Sequence, residues 1–240
     1  MKIAPLLYAA FTELQEAAMG LLSGTKIETI AEKINKFAIY SAVAGAAVCA
    51  VPGAGGTLAA LTQTGLVWTL YVQINKTLGI SIKDNVLKFI GSAVLTNLAA
   101  NAGTYIVAYA AASVLSFIPG LGTAGAVLIG AATGYMVIYA AAIVYLKLLT
   151  KMMKTSGNFD FDESEDTKTM IDEVVKDTDV KGAVQEGREA FKAARKSGEL
   201  KDAMKNPKCP VCGAPVATGQ KFCSECGNPL NLQDHEEFSG

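Results

Sequence analysis

Four cysteines carry the most specific chemistry this chain can do. Cys209 and Cys212 form one Cys-x-x-Cys pair, Cys223 and Cys226 form a second, and each pair is followed at once by a glycine, Gly213 and Gly227. Each pair can place two thiolates on one ion, and the glycine permits the tight turn that aims backbone N–H groups at sulfur. Four sulfurs around one Zn²⁺ make a closed, structural, tetrahedral site with no position open to water. The spacing is that of a metal site rather than a disulfide framework, which implies a reducing compartment. Iron–sulfur or redox use of the same thiols is the alternative. The fifth cysteine, Cys49, lies alone in an apolar run.

A module spanning residues 207–230 has too little core to fold without its metal. Phe222 and Pro229 are expected to pack around the site. The one histidine, His235, lies in the acidic tail 231–240 beyond the fourth cysteine and reads as a bystander. The paired knuckles resemble the short zinc ribbons found at the ends of bacterial proteins. Such ribbons bind proteins or nucleic acids, and here only Lys208 and Lys221 stand close by. With a net charge of −1 and no basic stripe, protein contact is the expectation and nucleic acid is not.

No catalytic constellation accompanies the metal. The ion is saturated by sulfur, the histidine is isolated, and the apolar part of the chain has no carboxylate pair to act as acid and base. A Gly-x-x-x-x-Gly-Lys-Ser/Thr loop for nucleotide phosphates is absent from the sequence. The expectation is a protein that is not an enzyme.

The elements that must carry this module are apolar. Residues 89–146 hold no charged side chain and residues 37–75 hold none either. Each run is broken once, at Pro119-Gly120-Leu121-Gly122 and at Val51-Pro52-Gly53-Ala54-Gly55, and the two breaks superpose as a degenerate repeat. The spacing predicts four helical arms, about Phe37–Val51, Thr57–Ile74, Val86–Ile118 and Thr123–Leu146, folded as two hairpins. Lys33, Lys36, Lys76, Lys83, Lys88, Lys147, Lys151 and Lys154 all flank the arms at their open ends, while both turns are uncharged. An excess of lysine at one end places that end in the cytoplasm by the positive-inside tendency. Arm four, at about 36 Å, is long enough to span a hydrocarbon core of about 30 Å; arm one, at about 22 Å, is not. The favoured arrangement is a compact bundle with the second hairpin inserted and the first beside it. A soluble bundle, with Asn97, Asn101 and the tyrosines at its margin, is the alternative.

Small residues recur every fourth position: Ala38, Ala42, Ala46 and Ala50; Ala100, Thr104, Ala108, Ala112 and Ser116; Gly122, Ala126, Gly130 and Gly134. Such stripes let helix backbones approach closely, within a chain or between copies. Before the arms, residues 1–36 predict two amphipathic helices. Ile3, Leu6, Leu7, Ala10, Leu14, Ala17, Ala18 and Leu21 line the first, which stops near Ser23-Gly24 and packs on its own domain or on a lipid surface. Thr25 and Glu28 form a capping-box pattern for the second. After the arms, residues 155–206 read as a charged helical linker, with the acidic cluster Asp160, Asp162, Glu163, Glu165 and Asp166 solvated. The domain plan is therefore 1–36, a double hairpin 37–154, linker 155–206, ribbon 207–230 and tail 231–240. The fold class is all-α, with Ala/Gly-rich hairpins in a membrane-associated bundle and a small C-terminal zinc module.

The segment from about 37 to 147 resembles the hydrophobic helical domain of unknown function that accompanies Era-like GTPases in bacteria, the YcjF type. The residues that carry this are Val51-Pro52-Gly53-Ala54-Gly55, Leu58-Ala59-Ala60-Leu61-Thr62-Gln63, Leu78-Gly79-Ile80 and Phe117-Ile118-Pro119-Gly120-Leu121-Gly122. Leu78 departs from the tyrosine common there. The resemblance implies membrane association and a separately encoded GTPase, and assigns no activity to any residue. Together these features suggest an adaptor on the bacterial inner membrane, with termini and ribbon in the cytoplasm. A self-assembling pore or membrane-remodelling protein, and a soluble carrier of lipid or another hydrophobic ligand, are the other readings.

Overall fold

The N-terminal helix shows how the chain closes on itself. In a computed structural model describing residues 3–49, 57–115, 123–217, 220 and 222–230, α1 spans Pro5–Ala17 and opens on proline, whose missing N–H costs a first turn nothing. The N–H groups of Leu6 and Leu7 donate to the carboxylate of Glu186 at 2.6 and 3.3 Å. A carboxylate at that end also opposes the helix dipole favourably. Leu7, Ala10, Phe11 and Leu14 are buried against the rest of the protein. The amphipathic face is thus spent internally, the first of the two readings above. The helix ends at Ala17, before the expected Ser23-Gly24, because Gly20 (φ 85°) turns the chain out. Glu186→Gln is expected to lower stability by about 1 kcal/mol, or roughly 2–4 °C in a thermal melt of the full chain.

Four long helices follow: α2 Gly24–Cys49, α3 Thr57–Leu78, α4 Asp84–Leu115 and α5 Thr123–Ser156. They coincide with the four expected arms, each extended at its charged end, and α2 packs on α3 and α4 on α5. Both Pro-Gly turns lie outside the described residues. Ser23 rather than Thr25 caps α2, its hydroxyl accepting from Lys26 N–H at 3.3 Å. The closest approach in the bundle is α2 against α5. A Cβ on Gly134 would stand 2.5 Å from the carbonyl oxygen of Ser41, and one on Gly45 would overlap the carbonyl of Gly130. Ala38, Ala42 and Ala46 line the same seam, fully or nearly buried. Two of the three small-residue stripes are therefore consumed within the chain. The third points outward: Ala100, Thr104 and Ala108 are exposed.

The core is aromatic at its centre. Tyr71 and Tyr145 stack at 3.9 Å, and both rings are fully buried. Tyr71 donates to the Ala141 carbonyl at 3.0 Å and Tyr145 to Asn75 at 2.8 Å. Burying a hydroxyl is tolerable only with such partners. These tyrosines are core rather than margin, whereas Asn97 does sit at the edge, donating to Asp172 at 2.7 Å. The flanking lysines are partly occupied as well. Lys147 pairs with Glu13, Lys151 pairs with Glu173, and Lys88 lies over the Trp68 ring. Lys33 donates to Gln73 and Thr77, and burial, then the charges of Lys76 and Lys36, hold its pKa below the usual lysine range.

Residues 155–206 are not a solvated linker. They form α6 Glu165–Asp177, α7 Val180–Lys196 and α8 Glu199–Lys205, and their apolar positions are buried: Ile171, Val174 and Val175 on α6, Val184 and Phe191 on α7. The mixed charges that suggested solvation occupy only the outer face of each helix. The acidic cluster serves capping and side-chain contacts: Asp162 accepts from Ser164 and Thr167, and Glu163 accepts from Asn85. Helix α6 lies along α4, and α7 begins where Lys181 covers the Tyr105 ring at 4.4 Å and crosses onto α5, where Phe191 meets Tyr135.

One described helix segment, Val127–Ser156, is long and apolar enough to cross a membrane. Yet 72% of its most apolar window is buried, wrapped by neighbours on several sides. The expected insertion of arm four along its whole length therefore conflicts with the fold, because its Lys147 half is paired with α1 and α6 through Lys147–Glu13 and Lys151–Glu173. Membrane crossing by this helix is an inference from length and composition alone.

Candidate metal centre

The cysteine module is built from two copies of one local pattern. In the first knuckle Cys209 N–H donates to Ala214 and Gly213 N–H donates to Cys209. In the second, Cys223 N–H donates to Asn228 and Gly227 N–H to Cys223, all at 2.8–2.9 Å. Gly213 (φ 78°) and Gly227 (φ 69°) are left-handed, the conformation their position after each pair called for. Antiparallel bridges Lys208↔Pro215 and Phe222↔Pro229 close the two loops.

This brings all four sulfurs together, within 4.8 Å of one another. The cross-knuckle separations are 3.7 Å for Cys209–Cys226 and 3.5 Å for Cys212–Cys223. Cys209 and Cys223 are buried; Cys212 and Cys226 face solvent. Such a cluster of soft donors fits a tetrahedral Zn²⁺, whose bonds to sulfur are about 2.3 Å. Burial pushes the Cys209 thiol up to about 12 despite the N–H groups of Cys212 and Val211. At Cys223 burial acts in the same direction, but the N–H groups of Cys226 and Glu225, with the Cys212 and Cys226 thiols, outweigh it and hold the group at about 7. Those N–H groups favour the thiolate that binds metal. The donor set suits structural zinc.

Two sequence expectations change here. Phe222 does not pack around the site: its side chain is 61% exposed, while Val216 and Leu230 supply the small apolar core. Its place on a bridged edge turns the ring outward, because side chains alternate along extended backbone. Lys221 and His235 lie outside the described residues.

A residue that sequence reasoning missed is Tyr40. It lies in the first apolar arm, where nothing in the local pattern marks it, yet its hydroxyl donates to the Leu230 carbonyl at 2.9 Å at the end of the ribbon. Burial, and then the nearby Cys209 and Cys223, push this phenol well above its ordinary range, so it remains a donor. Just before the module, α8 is tied to α2 through Asn35, which donates to Glu199 at 3.5 Å and accepts from Tyr135 at 2.6 Å. Between α2, α8 and the first knuckle lies a groove of about 510 Å³, lined by Ile39, Tyr40 and Val43 with Lys36, Asp202 and Lys208 at its rim. The ribbon is docked on the helical body, not tethered to it loosely.

Comparison with protein families matches a zinc-ribbon domain over residues 208–230, the stretch that holds all four cysteines. It gives no support to a GTPase-associated domain in the hydrophobic helices. No curated protein and no solved structure matches the chain.

Proposed function

We propose that this protein is a non-enzymatic adaptor whose uncharged hairpin tip enters one leaflet of a membrane, while its zinc ribbon meets a protein partner on the cytoplasmic side. The observation that carries the reading is the uncharged end of the bundle, where Tyr105, Val107 and Ala108 of α4 are exposed. Lys181 of α7 covers the Tyr105 ring on α4, and the ribbon reaches α2 at Tyr40. Beyond those points α4 runs ten residues to Leu115 and α2 nine to Cys49, about 15 and 14 Å, without a charge. That is about half of a hydrocarbon core. Val107, 56% exposed, belongs to this segment. A tip of this depth replaces the full span expected from arm length. The partner class suggested by the family resemblance, a separately encoded GTPase, stays within the proposal, and the outward ring of Phe222 is the natural anchor for it.

Flotation of the full chain with phosphatidylethanolamine–phosphatidylglycerol vesicles tests this. The wild type should float, and Val107→Asp should lower the bound fraction by about tenfold, since a carboxylate in hydrocarbon is costly. Folded wild-type protein that remains at the bottom of the gradient would sink the reading. A second reading, a soluble carrier of a hydrophobic ligand, is favoured by the burial of α5 and by a cavity of about 290 Å³ near Leu7, Ala31, Tyr135 and Tyr139. Lipid extractable from a detergent-free preparation would support that one. Self-assembly between copies draws less support than the sequence implied, because the α2 and α5 stripes already pack on each other.

A further inference from the structure

We infer that the ribbon is a zinc-dependent clasp on α2 and that Tyr40 is the residue positioning it. The module is held at its end by Tyr40 against Leu230, and α8, the helix before it, is tied to α2 by Asn35 against Glu199. Leu230 is 0% exposed and Tyr40 2%, so the second contact is dry. A hydrogen bond sheltered from water is worth keeping, because breaking it strands a buried donor. The ribbon's own core is Val216, Leu230 and two cysteines, too small to persist without the ion. Leu230 follows directly on the second knuckle, which is closed by Cys223 N–H on the Asn228 carbonyl. Zinc binding and docking are therefore coupled, and coupling is reciprocal: the ion tightens the dock, and the dock tightens the ion.

The consequence is a metal-gated surface. Loss of zinc opens the knuckles, releases Leu230 and uncovers the strip Ile39, Tyr40 and Val43 on α2. This strip lies one turn before Gly45, where α2 meets α5 most closely. Zinc supply is thereby reported on the helical body as an apolar patch that the loaded protein hides. This inference is independent of any membrane role, and its test uses no lipid.

The full-length chain carrying Tyr40→Phe loses only the hydroxyl. Its zinc dissociation constant, measured by chelator competition, should rise roughly three- to tenfold, the equivalent of one buried hydrogen bond. Tyr8→Phe, at an exposed tyrosine on α1, should leave it unchanged. Hydroxyl-radical footprinting of the wild type should show Tyr40 oxidised several-fold faster after chelation. An affinity in Tyr40→Phe within twofold of wild type overturns the inference. So does a Tyr40 footprint that chelation leaves unchanged.

Discussion

Gly134→Ala is expected to destabilise the protein by about 3 kcal/mol, a loss of roughly 6–12 °C in thermal unfolding. The sign is the informative part. Alanine in a helix interior ordinarily gains up to about 1 kcal/mol over glycine. At Gly134 the new methyl would lie 2.5 Å from the Ser41 carbonyl oxygen and 2.9 Å from its carbon. Those are backbone atoms, which cannot rotate away, so α2 and α5 must separate along a seam that also holds Gly45 and Gly130. Gly103 provides the opposite case in the same bundle, since nothing lies within 4 Å of the position its Cβ would take. Gly103→Ala should accordingly stabilise by about 0.5–1 kcal/mol. Paired melts under one set of conditions check both, and a Gly134→Ala variant as stable as wild type would contradict the packing described for α2 and α5.

Cys223→Ala should remove the bound zinc, from about one ion per chain to almost none, and unfold residues 207–230. The reason is coordination number: three thiolates leave a closed structural site incomplete, and structural zinc contributes about 10–16 kcal/mol to the folding of comparable peptides. The eight described helices should survive, because all but four residues of the buried core lie outside the ribbon. Elemental analysis gives the zinc content, and limited proteolysis at Lys205 and Lys208 gives the state of the module. His235→Ala should retain its zinc in full. Zinc retained by Cys223→Ala, or lost from His235→Ala, would show that the ligand set is wrong.

Much of the architecture was legible before any coordinates, for reasons that are local. Two uncharged runs, each broken once by Pro-Gly, require helices long enough to bury them, and α2 to α5 are those helices. The charged segment 155–206 reads as a solvated linker in sequence because its surface residues outnumber the inward set. Ile171, Val175, Val184 and Phe191 are enough to dock two helices, but a high charge density hides so thin a stripe. The small-residue stripes were visible yet mute. In Ala-rich helices with little difference between faces, spacing says that two backbones can meet and not which two do. The structure spends the Gly130–Gly134 stripe on Ser41 and Gly45 and leaves Ala100, Thr104 and Ala108 outside.

The sequence by itself determined the candidate zinc site, because a Cys-x-x-Cys-Gly spacing lets two sulfurs reach one ion and puts a left-handed glycine in the turn after them. It also determined that most of the chain is apolar helix. Only the tertiary structure decided where the ribbon rests and that α7 meets α4 at Tyr105. Tyr40 and Leu230 stand 190 positions apart in the chain, and Lys181 is 76 beyond Tyr105. Contacts of that separation are set by how whole helices pack, and no short-range pattern of residues records them.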